Sequence, residues 1–311
     1  MNKGAYIISG TLVALFLAGL AFFALQMSGT SVGSLFGDAL QADTIQVNEN
    51  IVYGTKERNR LDLFIPAGID KAAEHGLILY IHGGSWTSGD KSSMVADCKA
   101  FAEKGYITAT MNYSYLNFSA EEKTDFTTML GEIAAAVATI KGYASAQGIN
   151  ITKAALSGYS AGAHLAMLYA YSMMEKSPLP ILFVQSKAGP ADYRTFALDS
   201  PDIKDILGRM GNSDITPEAL QGEKFVAMLQ ALSPVTHIKS GVPPTLMAYG
   251  RQDTLVTWEN ALSLMNAFNA FGVKYTLVEF PQSGHGLDKD ADSTVLCNEK
   301  MEEFAKQYFG Y

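Results

Sequence analysis

Gly158-Tyr159-Ser160-Ala161-Gly162 stands between a short apolar run, Ala154-Ala155-Leu156, and an alanine-rich run from Ala161 to Met174. The form is G-x-S-x-G, in which small residues two before and two after a serine let the backbone turn sharply from strand into helix. The serine is then held out at the tip of the turn. A strand must lead into such a turn and a helix must leave it, so its meaning rests on what the flanking chain forms.

Upstream, Leu77-Ile78-Leu79-Tyr80-Ile81 is a continuous apolar run, as expected of a strand buried on both faces, and it ends in His82-Gly83-Gly84-Ser85-Trp86. Ile107 to Met111 is a second such strand, entering Asn112-Tyr113. Helices are expected from about Met94 to Lys104 and from Thr124 to Ser145, the latter stopped by Gly148-Ile149-Asn150. Ile45 to Tyr53 and Leu61 to Ile65 flank the polar turn Gly54 to Arg60 and read as an antiparallel hairpin closed by Pro66. Downstream, Pro180 to Gln185, Pro244 to Tyr249 and Lys274 to Phe280 are further strands, with helices from about Trp258 to Phe271 and Thr294 to Phe309. Strand alternating with helix implies an α/β fold, a mostly parallel central sheet with helices on both faces. Tyr193 to Ser233 holds short helical pieces broken by Gly and Pro and is the candidate helical cap over a pocket. Within it Met210, Phe225, Met228 and Leu229 are candidates to line an acyl pocket, against the plainer reading of helix packing.

A chain of 311 residues, 48% hydrophobic, suffices for one large α/β domain, assigned here to residues 44–311. With 23 Lys and Arg against 31 Asp and Glu, nothing neutralises a phosphate backbone, which argues against a nucleic-acid partner. From Ala5 to Leu25 the chain is almost wholly apolar and uncharged, about the 20 residues that cross a hydrocarbon core. Lys3 precedes this run and no Lys or Arg follows before Lys56, which puts the amino terminus in the cytoplasm and the rest outside. Residues 1–27 therefore read as an anchoring transmembrane helix or a signal peptide, and 28–43 as a linker; Gly19-Leu20-Ala21 is an available but weak cleavage site. Cys98 and Cys297 are the only cysteines, open to two readings: a bridge, or two buried thiols.

A serine hydroxyl needs a base within hydrogen-bond reach and a third group to fix that base's tautomer. His164 lies four residues along the serine's own helix and reads as packed core, and His237 sits in a polar turn without a motif. His285, in Gln282-Ser283-Gly284-His285-Gly286, follows the final strand, where catalytic groups of open α/β sheets gather. It is the candidate base. Asp253, after the preceding strand, is the candidate acid; alone it would read as an ordinary loop aspartate capping the next helix. Asp192 is the alternate acid, and Asp288 and Asp290 fall on the wrong side of His285. The paired glycines Gly83 and Gly84, with the amide of Ala161, are suited to donate hydrogen bonds to an oxyanion. His82 reads as a brace for that loop. No metal or organic cofactor is needed.

The HGG-x-W turn with Gly89-Asp90-Lys91, then Asn112-Tyr113, the serine turn running on through Ala163-His164-Leu165-Ala166, Ser233-Pro234, Gly250-x-x-Asp253 and Gly284-His285-Gly286, together resemble a known family. The chain looks like the α/β-hydrolase fold serine esterases of the hormone-sensitive-lipase and kynurenine-formamidase-like groups, similar to small bacterial esterases related to feruloyl esterases. The resemblance covers roughly Val47 to the carboxyl terminus. It implies Ser160 as nucleophile, His285 as base, Asp253 as orienting acid, and Gly83, Gly84 and Ala161 as oxyanion donors, acting on a small-molecule ester. One departure is Ser114 after Tyr113, where relatives often carry arginine. The same fold implies that the helices carrying Cys98 and Cys297 share a sheet face. Amide or formamide cleavage is the rival within this chemistry, and a hydrolase-fold protein that only binds a partner is the rival outside it. Oligomeric state and acyl preference are not legible.

Overall fold

Among the described residues, aliphatic and β-branched runs form eight strands: β1 (Ile45–Val52), β2 (Arg60–Pro66), β3 (Glu74–Ile81), β4 (Ile107–Met111), β5 (Asn150–Tyr159), β6 (Ile181–Lys187), β7 (Thr245–Gly250) and β8 (Tyr275–Phe280). They make one sheet in the order β1-β2-β4-β3-β5-β6-β7-β8. β2 pairs antiparallel with both β1 and β4, and every pair from β4 across to β8 is parallel. The protein is seen as a computed structural model that describes residues 44–116, 124–193 and 223–311. The expected span Ala5–Leu25, the 28–43 linker and most of the expected cap lie outside these residues. Among the described residues no helix is long and apolar enough to cross a membrane.

Six α-helices are described: α1 (Val95–Ala102), α2 (Phe126–Ala146), α3 (Ala161–Ser172), α4 (Glu223–Leu232), α5 (Glu259–Phe271) and α6 (Ala291–Phe309). Their ends follow local chemistry. Asp125 caps α2 by accepting the Thr128 amide at 2.9 Å, and Gly272, at φ 64°, ends α5 in the left-handed conformation that glycine adopts without strain. Alternate residues of β3 enter opposite cores. Leu77, Leu79 and Ile81 of β3 pack with α2, α3 and α5 residues such as Ile133, Leu165 and Phe268. Ile78 and Tyr80 pack on the other face with Cys98 and Phe101 of α1 and with Met301 and Phe304 of α6. That two-sided burial is why these strands read as unbroken apolar runs.

β3 and β5 are longer than their apolar cores. Parallel pairing continues down to Glu74 beside Asn150, where backbone ladder bonds extend the strands through polar residues. The helix expected from Met94 to Lys104 is shorter: Met94 closes a 3₁₀ turn, Lys91–Met94, capped by Asp90, and the α-helix ends at Ala102 before Gly105 at φ 95°. At the departure noted above, the Ser114 amide donates to Glu132 Oε2 at 2.7 Å and its hydroxyl to Oε1 at 2.5 Å, tying the end of β4 to α2. An arginine reaches this loop from elsewhere: Arg58, in the β1–β2 turn, donates to Tyr113 O at 3.0 Å and to Gly89 O at 3.1 Å.

Cys98 and Cys297 lie on one sheet face as buried free thiols, and burial is the main cause that raises both thiol pKa values. Thiol titration without reductant should therefore give two reactive groups per unfolded chain and essentially none in the native protein. Fewer than two in the unfolded chain would show a bridge.

Candidate active site

The parallel strands deliver their carboxyl ends to one edge of the sheet. β3 and its neighbour β5 end in the Gly83-Gly84 loop and in Ser160, and β7 and its neighbour β8 lead to Asp253 and His285. The turn at Ser160 is as tight as its glycines imply. A methyl on Gly158 would sit 2.4 Å from the Gly162 carbonyl carbon, and one on Gly162 would sit 2.1 Å from Ile81 O. Neither distance is possible for a real side chain, so strand, helix and the neighbouring β3 close on one another only through glycine. Ser160 itself takes φ 52°, ψ −120°, a conformation costly for any residue with a Cβ, of order 1–3 kcal/mol. Its amide donates to Lys187 O at 2.8 Å and its carbonyl accepts from the His164 amide at 3.0 Å, which hold the turn between β6 and α3.

Three expected side chains meet there. His285 Nε2 lies 2.8 Å from Ser160 Oγ, and His285 Nδ1 lies 2.8 Å from Asp253 Oδ2. The carboxylate is fully buried while the imidazole keeps 24% of its side-chain surface, so the relay runs from a dry end to an open one. The capping alternative for Asp253 is also realised, by its other oxygen: Oδ1 accepts the amides of Leu255 at 2.8 Å and Val256 at 2.9 Å. One carboxylate thus fixes its own loop and the histidine together. Asp192 is buried after β6, where its amide donates to Asn260 Oδ1 at 3.1 Å. His237 Nε2 bonds Ala231 O at 2.8 Å, away from this relay.

The glycine loop abuts the serine: a methyl on Gly83 would meet Tyr159 O at 3.0 Å and Ser160 Cβ at 3.2 Å. Gly84, at φ 118°, passes so close to Ser88 that a methyl would sit 2.2 Å from its carbonyl oxygen. Ala161 opens α3, and the first amides of a helix have no acceptor within it and lie at its positive end. His82 braces the loop as expected, with Nδ1 2.6 Å from Gly83 O and its ring stacked on Tyr113 at 4.4 Å; burial pushes its pKa down to about 4. Of the candidate acyl-pocket residues, Leu229 is buried and Met228 half-buried, whereas Met210 and the Phe225 side chain lie outside what the structure describes.

Two further supports are all but silent in the sequence pattern. Tyr159, the variable residue of the serine turn, donates its hydroxyl to His285 O at 2.7 Å. Asp290, set aside as an acid, accepts from the Ser283 hydroxyl at 2.6 Å and the Gln282 amide at 3.1 Å, bracketing the histidine loop from behind. A Ser and an Asp flanking Gly-His-Gly are the only hint of that bracket. Among the described residues no group of His, Cys, Asp and Glu is arranged to hold a metal ion.

Residues 61–268 match the protein family described as BD-FAE. The chain is 24% identical over 273 residues to the probable carboxylic ester hydrolase LipM of Mycobacterium tuberculosis, covering 84% of this chain and 62% of LipM. It is 26% identical over 248 residues to the isoprenylcysteine alpha-carbonyl methylesterase ICME of Arabidopsis thaliana, covering 77% of this chain and 56% of that protein. The chain thus spans about six-tenths of the length of these relatives. Among solved structures, a truncated carbohydrate esterase from gut microbiota superposes with a TM-score of 0.68 at 18% identity, over 85% of this chain and 99% of that one. That likeness shows the fold, an α/β-hydrolase.

Proposed function

The chain belongs to the BD-FAE family, and on that premise we propose that it is a carboxylic ester hydrolase that works through a serine acyl-enzyme. The observation that carries this reading is the unbroken relay Asp253–His285–Ser160, with both contacts at 2.8 Å. A carboxylate oxygen only accepts, so His285 Nδ1 carries its proton toward Asp253 and Nε2 presents its lone pair to the Ser160 hydroxyl. Ser160 Oγ attacks the ester carbonyl as its proton passes to Nε2, and Asp253 stabilises the imidazolium. The Gly83, Gly84 and Ala161 amides donate to the oxyanion, each worth on the order of 3 kcal/mol. The proton on Nε2 then passes to the leaving alkoxide, freeing the alcohol. Water, deprotonated by the same nitrogen, cleaves the acyl-enzyme and returns the serine.

The apolar stretch Ala5–Leu25 and its charge asymmetry support a domain held at the outer face of a membrane. Substrate class is open to a direct test. The full chain would be assayed on p-nitrophenyl esters of rising acyl length, a feruloyl ester, an acetylated sugar, a methyl ester and N-formylkynurenine. A fluorophosphonate should leave one adduct, on the peptide containing Ser160. Turnover of N-formylkynurenine alone would favour the formamide reading, and neither turnover nor an adduct would leave a binding protein.

A further inference from the structure

We propose that His164 is a positioning residue for the oxyanion loop, acting through the Trp86 indole and only as the tautomer protonated at Nε2. The inference rests on the ester-hydrolase reading above. Nothing in that mechanism uses His164, yet it is fully buried, one helical turn from Ser160, and three parts of the fold meet on it. Trp86, directly after the glycine loop and Ser85, brings its Nε1 to 3.2 Å from His164 Nδ1. His164 Nε2 lies 2.8 Å from Leu232 O at the end of α4, and the Tyr193 hydroxyl lies 3.4 Å from the same nitrogen.

The tautomer follows from donor counting. An indole N–H only donates, so Nδ1 must carry the lone pair; Nε2 then carries the proton and donates to Leu232 O. Burial keeps the ring neutral, with a pKa pushed down to about 4. A protonated ring would set two N–H groups against each other at Trp86.

The loop needs such a restraint. Ser85 at φ 50° and Trp86 at φ 61° both lie in the left-handed region, an outlier for a residue as bulky as tryptophan. Backbone of that kind persists only where its surroundings impose it. Here Trp86 is clamped by edge contacts to Phe126 at 5.6 Å and His164 at 5.2 Å, by the Leu116 amide on its carbonyl at 2.9 Å, and by the indole bond. Ring contacts leave the indole free to slide in its plane; the hydrogen bond to Nδ1 fixes its depth, and with it the preceding Gly83-Gly84 loop, which abuts Ser160 at Gly83.

The test separates the two nitrogens. His164→Asn keeps an acceptor near the place of Nδ1, whereas His164→Gln keeps an amide near the place of Nε2 and leaves the indole without a partner. On p-nitrophenyl acetate, His164→Gln and Trp86→Phe should each lower kcat about 10- to 100-fold with KM changing less than about two-fold, as expected when positioned groups shift by a fraction of an ångström. His164→Asn should recover most of kcat, and the double variant Trp86→Phe/His164→Gln should fall no further than either single one. Phenylboronic acid, which fills the oxyanion site without turnover, should lose affinity in step with kcat. Equal losses in His164→Asn and His164→Gln, additive losses in the double variant, or boronate affinity indifferent to His164→Gln would each overturn the proposal. The chain has two tryptophans, so in a Trp258→Phe background the indole ¹⁵N–H signal belongs to Trp86. Exchange of that proton with water at the rate of free indole would overturn the proposal whatever the activity. Boronate binding and indole protection without ester turnover would instead count against the choice of substrate alone.

Discussion

Ser160→Ala is expected to cut kcat by about a million-fold, the scale seen when a nucleophile whose partners act as a unit is removed. Fluorophosphonate labelling should vanish with it. Stability should barely move. The strained φ of 52° is kept by alanine, and the one hydrogen bond lost, from Oγ to His285 Nε2, is part-buried and worth about 1 kcal/mol. The pairing of a near-total kinetic loss with an unfolding free energy lowered by no more than about 1 kcal/mol is the signature to measure. A residual rate within about a hundred-fold of wild type would mean that another group attacks the ester.

Asp253→Asn should lower kcat by about ten-thousand-fold, and the geometry says why the substitution acts through the proton on His285. The Leu255 and Val256 amides both donate to Oδ1, and a carboxamide nitrogen cannot accept. The asparagine oxygen must therefore stay with those amides, which turns its NH₂ toward His285 Nδ1. That nitrogen has to become the acceptor, the proton moves to Nε2, and the imidazole presents a donor to a hydroxyl it should deprotonate. Because the loop bonds survive, unfolding free energy should fall by less than about 1 kcal/mol. A kcat loss below about ten-fold would hand the role to another carboxylate, with Asp192 the first to substitute.

The order serine, acid, histidine was legible because each residue follows its own strand and each is marked by glycine. Gly158, Gly162 and Gly84 advertise turns that a Cβ would block, and such positions write themselves into a sequence. The parallel sheet was legible too, since two-sided burial erases alternation from its strands. What the pattern could not carry is contact between residues distant in the chain. Tyr159 reaching His285 O spans 126 positions, and Trp86 reaching His164 spans 78. His164 is packed core, as its place on the serine's helix implies, but burial alone does not reveal which neighbour its Nδ1 holds. The choice between two roles for Asp253 dissolved because a carboxylate has two oxygens and each took one role. The ladder ends of β3 and β5 are not legible in the sequence because backbone pairing there ignores polarity.

The glycine loop runs so near Ser160 that a methyl on Gly83 would meet its Cβ at 3.2 Å. In the proposed mechanism one direction around the reacting carbon is taken by Oγ, one by the oxyanion held on the glycine side, and one by the leaving oxygen, which must face His285 Nε2 to receive its proton. The acyl chain is left the single remaining direction. Only one prochiral face of the carbonyl can then be attacked, and the tetrahedral centre forms in one hand. A racemic phosphonate, whose phosphorus copies that centre, is thereby sorted by the backbone before any side chain of the acyl pocket is consulted.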